Sequence, residues 1–223
     1  MIPWVHLDTA VMRGGGGELK LMRRGAEFSI MSGAIELMNS RVSGSEEALA
    51  TLTCARIGDR PAPHLLIGGF GMGFTLRAAL DVLPGDASVT LSELVPEVIA
   101  WGRGPMAHIS GPCLEDPRLS VIEGDVGALI RSADAAYDAI LLDVDNGPGG
   151  LSRRGNDRLY DRPGLAAARR ALRPDGILAV WSSAPDAAFN RRLGDAGFSF
   201  EETQVRASAR RRGARHTIWL ARA

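Results

Sequence analysis

Cysteine is nearly absent: the chain of 223 residues carries two, Cys54 and Cys113, with no CxxC or Cys/His spacing. Neither a disulfide framework nor a zinc site is expected, and no metal is implied elsewhere. An excess of charge of one sign is also missing. Lys+Arg and Asp+Glu both number 26, which argues against a dedicated nucleic-acid binder and implies poor solubility near neutral pH. Lys20 is the one lysine among those basic residues. This reads as coding bias first, although arginine does keep its charge and fork geometry everywhere. No apolar run approaches the ~18 residues of a membrane span, and the first ten positions lack a basic-then-apolar signal pattern. A soluble, cytoplasmic protein with no membrane partner is the expectation. What is present is ordinary, at 45% hydrophobic and 23% charged, and a chain this long buries a sizeable core without a covalent staple.

Two regimes follow along the chain. Residues 18–22, 27–30 and 35–38 are short alternating runs separated by Arg23-Arg24-Gly25 and Ser32-Gly33, which predicts a small antiparallel meander. The glycine run at 14–17 is a flexible joint ahead of it. Leu49, Leu52 and Ala55 space out one helix that ends before Pro61. From His64 onward strands are predicted at 65–69, 89–94, 119–122, 137–143 and 176–181, with helices at 75–83, 97–102, 126–132 and 165–172. Such β-α alternation specifies an α/β fold with a Rossmann-like, doubly wound, mostly parallel sheet, its ligand at the carboxyl ends of the strands. Segments 198–205 and 216–221 are predicted to close the chain as an antiparallel hairpin. The expected division is a meander over 1–45 and a Rossmann-like domain over 46–223.

The first of these strands runs into Gly68-Gly69-Phe70-Gly71-Met72-Gly73. Glycines at 69, 71 and 73 permit a tight strand-to-helix turn and close approach of a ligand to backbone. The dinucleotide spacing needs a sixth-position glycine, and counting from Gly69 or Gly71 reaches Phe74 or Leu76 instead. The turn resembles that of class I S-adenosylmethionine-dependent enzymes. Carboxylates stand at the next strand ends. Glu93 lies where an acid accepts both ribose hydroxyls, Asp125 where one accepts an adenine amine, and Asp143 closes the fourth strand. A single acid there would be a helix cap; glycines and acids at four successive strand ends indicate a nucleoside-cofactor site.

Residues 18–183 resemble a short, divergent relative of the spermidine synthases, the aminopropyltransferase branch of the class I methyltransferase superfamily. The resemblance rests on the meander, Ile67-Gly68-Gly69, Ser92-Glu93-Leu94-Val95-Pro96-Glu97-Val98, Asp116-Pro117-Arg118, Gly124-Asp125 and Tyr137-Asp138-Ala139-Ile140-Leu141-Leu142-Asp143. It implies that Glu93 holds the ribose, that Asp125 holds the adenine, and that Asp143 orients or deprotonates an attacking amine, with Asp145 beside it. It also implies a homodimer. Spermidine synthases carry an acid within the glycine turn for the aminopropyl ammonium group; Gly71-Met72-Gly73 has none. Their Tyr-Gln pair along the polyamine channel aligns with Ser45-Glu46. Their Asp-Ser-Ser-Asp-Pro run becomes Asp143-Val144-Asp145-Asn146-Gly147-Pro148.

The nucleoside half is thus retained and the polyamine half rewritten. A turn acid would repel the carboxylate of intact S-adenosylmethionine by ~4 kcal/mol at about 4 Å and an effective dielectric of 20. Its loss favours methyl transfer from intact S-adenosylmethionine to a small-molecule acceptor. The alternative is aminopropyl transfer from the decarboxylated form, and a third reading is a non-catalytic nucleoside-binding module. Placing an acid at Met72 is expected to reverse the cofactor preference. Glu46, Asn146, Tyr160 and Trp181 are the acceptor-side candidates. Trp101 reads as core, and Arg210, Arg211, Arg212, Arg215 and His216 read as a solvated turn in preference to a phosphate contact.

Overall fold

The computed structural model describes residues 2–12, 17–144, 147–148, 157–208 and 213–223. Asp145, Asn146 and Arg210 to Arg212, singled out above, lie outside them. An antiparallel sheet comes first, ordered β1 (Val5–Val11), β2 (Glu18–Arg24), β3 (Glu27–Ser32) and β4 (Ile35–Asn39). The last three are the predicted meander. Strand β1 was not foreseen, because its inward set is sparse: Ala10 is buried, whereas Val5, Leu7 and Val11 are exposed. Helix α1 (Gly44–Ile57) then leads to the second sheet.

That sheet is built from β5 (His64–Gly68), α2 (Phe74–Val82), β6 (Ser88–Glu93), α3 (Pro96–Arg103), α4 (Ala107–Ser110), a 3-10 turn at Gly111–Glu115, β7 (Leu119–Glu123), α5 (Val126–Ser132) and β8 (Tyr137–Leu142). It is completed by α6 (Asp157–Tyr160), α7 (Arg162–Ala171), β9 (Leu172–Ser182), α8 (Ala187–Asp195), β10 (Ser199–Arg206) and β11 (Arg215–Arg222). The strand order is β10-β11-β9-β8-β5-β6-β7, parallel from β9 to β7, with the terminal hairpin antiparallel. Order reverses between β5 and β8, which puts the crevice for a ligand at their carboxyl ends.

The central strands read as near-continuous apolar runs because both faces are covered. Leu65, Ile67, Ala139 and Leu141 enter one core with the meander, α1 and α2, while Leu66, Ile140 and Leu142 enter a second with α5, α7 and α8. The period-2 pleat sorts alternate side chains to opposite layers. Helices therefore cover both faces. Trp101 is core, as expected, and its Nε1 donates to Asp8 Oδ2 at 2.7 Å, tying β1 to α3. At the amino ends of the strands the buried Asp138 accepts from Arg60 (2.9 Å) and Arg173 (2.7 Å). It also accepts from the backbone N–H of His64, and its pKa is lowered because these partners outweigh its burial.

One boundary differs from the sequence reading. Leu172 already pairs with Tyr137, but the next partners are Ala139 and Ile177. Residues 173–175, left between the predicted helix and the predicted strand, instead belong to β9, which bulges there, with Asp175 at φ 60°. Helix α8 was also missed, as was the short α4. Among the described residues no helix is long and apolar enough to cross a membrane.

Candidate active site

The glycine turn works as its composition requires. Gly69 has φ 87°, Gly71 φ 56° and Gly73 φ 82°, all in the region open to glycine. A Cβ on Gly69 would lie 2.4 Å from the Asp143 carbonyl oxygen, so the two strand ends approach to a distance only glycine allows. A Cβ on Gly71 would lie 2.4 Å from Met38 Cε and 2.7 Å from its Sδ. Met72 is fully buried in the core. The turn therefore shows Gly69 and Gly71 to the crevice and Met72 to the interior, which corrects the expectation that an acid at Met72 would reach a ligand. The position from which a side chain would enter the crevice is Gly71.

A cavity of about 130 Å³ lies against this turn, walled by Met12, Leu19, Ile30 and Val98 and floored by Gly69, Glu93, Asp125 and Asp143. Glu93 is 8% exposed. Its Oε2 accepts from the Phe70 N–H at 2.8 Å and its Oε1 from the Val95 N–H at 2.9 Å. Burial pushes its pKa up against the pull of these N–H groups. The Leu94 and Gly71 N–H groups pull in the same direction. Asp125 caps α5, accepting from the Gly127 N–H at 2.9 Å, and pairs with Arg131 at 3.0 Å. The capping role weighed from sequence is present, and Asp125 also borders the cavity.

Asp143 follows β8 at the crevice and is partly buried. Its Oδ2 accepts from Thr75 Oγ1 at 2.6 Å, and its pKa is raised to about 7, first by burial and then by the nearby Glu46 charge. Glu46 shifts up as well, chiefly through burial. Thr75 stands between the two, with the Glu46 carbonyl 3.3 Å from its Oγ1. Burial thus lifts both carboxyls above the ordinary carboxylate range, and the Glu46 charge adds to the lift at Asp143.

A second, larger cavity of about 800 Å³ opens beyond Met38 between the meander and the hairpin. Glu46, Trp181 and His216 line it, and Leu37 and Met38 line both cavities. Trp181, at the end of β9, stands where an acceptor-pocket wall was expected. Tyr160 does not: it is buried in the second core with its ring 5.7 Å from Phe189, edge-on, and lines neither cavity. Thr75 and Met38 were not among the expected site residues, Ser45 entered only by its alignment with the channel pair, and His216 only as part of the solvated turn. Ser45 sits one position from Glu46 and Thr75 two from Gly73, whereas Met38 and His216 reach the site only through tertiary folding. Among the described residues no group of three His, Cys, Asp or Glu gathers as a metal site.

Comparison with known proteins bears on this geometry. A family profile described as "Spermine/spermidine synthase domain" matches residues 46–188. The chain belongs to the spermine/spermidine synthase family. It is 34% identical over 124 residues to a polyamine aminopropyltransferase of Korarchaeum cryptofilum, covering 56% of this chain and 36% of that protein. It is 33% identical over 125 residues to putrescine N-methyltransferase 4 of Nicotiana tabacum, covering 55% and 30%. The matched stretch thus spans about a third of these relatives. A spermidine synthase crystallised with the transition-state analogue AdoDATO superposes with a TM-score of 0.76 at 17% identity, covering 97% of this chain and 72% of that one. The Thermotoga maritima spermidine synthase superposes at 0.75 and 16%, with the same coverage. These superpositions establish the fold, and the family profile establishes the membership.

Proposed function

We propose that the chain is an S-adenosylmethionine-dependent transferase that moves a methyl group to the nitrogen of a small amine. The observation that carries the choice of group is at Gly71. The cavity-facing position of the turn bears no acid, and an uncharged thioether, Met38, stands against it. Aminopropyl transfer from the decarboxylated cofactor is the alternative. The relatives named above include both kinds of transferase.

The residues present suit a nucleoside with an aminoacyl tail. Apolar walls take the base, Glu93 takes the ribose hydroxyls, Asp125 borders the base edge, and the N–H groups that open α2 favour a tail carboxylate. Space is the one shortfall, since 130 Å³ lies below the ~300–1,000 Å³ of ligand pockets. Met38 is the side chain that yields, because an unbranched thioether rotates at little cost. The sulfonium supplies an activated electrophile, so the protein's task is alignment and proton removal. Asp143, with Glu46 behind it, takes the proton from an amine that enters by the larger cavity past Trp181.

Mass spectrometry of a primary-amine panel after incubation with each cofactor tests this reading. A methylated amine formed from the intact cofactor supports it. An aminopropylated product from the decarboxylated one, with none from the intact one, replaces it by the alternative.

A further inference from the structure

Behind Glu46 runs a line of hydrogen bonds that ends at a histidine. Ser45 Oγ donates to Glu46 Oε2 at 2.6 Å and lies 2.8 Å from His216 Nδ1. Ser45 is wholly buried in the first turn of α1, whereas His216 comes from β11, 171 residues later. The imidazole is held edge-on to Trp181 with centroids 4.7 Å apart, and it lines the larger cavity.

A serine hydroxyl has one hydrogen. With that hydrogen on Glu46, His216 Nδ1 must donate to Ser45 Oγ, so the neutral ring carries its proton on Nδ1 and leaves Nε2 bare. If Glu46 is protonated, the chain reverses: Glu46 donates to Ser45, and Ser45 donates to a bare Nδ1. The same three groups therefore support both directions, which is what a proton relay needs. Burial raises Glu46 and lowers His216, so their proton affinities converge.

We infer that His216 is a positioning residue for the transfer, which through Ser45 orients Glu46 beside Asp143 and receives the proton released by the acceptor nitrogen. The inference rests on the transfer reading above. In the step, an ammonium acceptor gives one proton to the Asp143–Glu46 pair. The freed nitrogen lone pair forms the new N–C bond, and the C–S bond breaks with its electrons going to the positively charged sulfur. The nitrogen ends as an ammonium and the sulfur neutral; the proton on Glu46 passes to Ser45, the Ser45 proton passes to the bare Nδ1 of the Nε2–H ring, and Nε2 releases one proton into the larger cavity. His216 touches neither reactant in this scheme.

The test joins a spectroscopic and a kinetic arm on the full chain. The protein has four histidines, so a long-range ¹H–¹⁵N spectrum of the imidazoles resolves each tautomer. His216 is expected as Nδ1–H where Glu46 is ionised and to shift toward Nε2–H as falling pH protonates Glu46, a change that Ser45→Ala abolishes. With putrescine among the probe amines, His216→Ala and Ser45→Ala are expected to lose about tenfold or more in kcat, with KM for the cofactor little changed. Added imidazole is expected to restore His216→Ala and not Ser45→Ala. A wild-type His216 that keeps one tautomer across that pH range overturns the relay, as does His216→Ala with unreduced kcat or with a loss that imidazole leaves untouched. A wild type that transfers nothing from either cofactor, whatever its tautomer, overturns the transfer reading and the relay with it.

Discussion

At Glu93 two demands fall on one carboxylate: it holds the Phe70 and Val95 N–H groups and also faces the cavity. Replacing Glu93 by Ala orphans two N–H groups, so a drop in folding stability is expected together with roughly tenfold or greater loss of nucleoside affinity. Asp125→Ala removes a helix cap worth ~1 kcal/mol and is expected to weaken the nucleoside by a similar factor. Calorimetric titration and thermal unfolding of both variants check this, and unchanged affinity in both removes the cofactor assignment. Asp143 links function to pH. Its folded-state pKa, about 7, lies above the ordinary 3.8. The folded protein thus keeps a proton that the unfolded chain has released between about pH 4 and 7, and stability falls as pH rises through that window. Denaturant unfolding against pH is expected to show the decline, and Asp143→Asn to flatten it. As a base Asp143 must be ionised, so kcat/KM is expected to rise with pH to an inflection near 7. Glu46→Gln removes the neighbouring negative charge and is expected to move that inflection to lower pH.

At the scale of elements, the glycine turn and β4 work as one unit. Gly69 and Gly71 differ in what an added methyl meets: fixed backbone of Asp143 at the first, the movable end of Met38 at the second. Gly69→Ala is expected to abolish cofactor binding. Gly71→Ala is expected to weaken it, with Met38→Ala restoring part of the loss in the double variant. Met38→Ala alone is expected to tighten the cofactor by freeing its space. Titration of the four proteins checks the set, and additive effects would deny the Gly71–Met38 contact. The pattern of the chain exposed most of these elements. Alternation and turn residues revealed β2, β3, β4 and the five parallel strands, because pleat periodicity and Gly/Pro punctuation are local. Strand β1 and the bulge at 173–175 stayed hidden, since the one lacks an inward apolar set and the other is fixed by pairing with β8.

For the whole molecule, the same division separates what was legible at the site. Gly69, Gly71, Glu93, Asp125 and Asp143 stand at the ends of strands, where sequence order alone brings them together. Met38 and His216 arrive from the meander and the last strand, and no spacing rule joins residues so far apart in the chain. Tyr160 was misjudged for the reverse reason: it follows the site in sequence, yet α6 turns it into the second core. The antiparallel sheet also leaves apolar side chains in water, with Val5 54%, Val11 68% and Ile35 58% exposed. An uncovered edge strand of this kind invites pairing with a second copy. A homodimer through the meander is expected in sedimentation at micromolar concentration, and Val5→Glu with Val11→Glu is expected to give a monomer. A monomeric wild type refutes that assembly.

The choice between the two cofactors depends on how Gly71, Met38 and α2 meet the cofactor's tail. The most direct test is a calorimetric comparison of intact and decarboxylated S-adenosylmethionine on the unmodified protein. With no acid at Gly71, the intact cofactor is expected to bind at least as tightly. Gly71→Asp combined with Met38→Ala is expected to reverse the order, by about 5- to 30-fold for ~1–2 kcal/mol of screened charge interaction. Tighter binding of the decarboxylated cofactor by the unmodified protein would contradict methyl transfer and put aminopropyl transfer in its place.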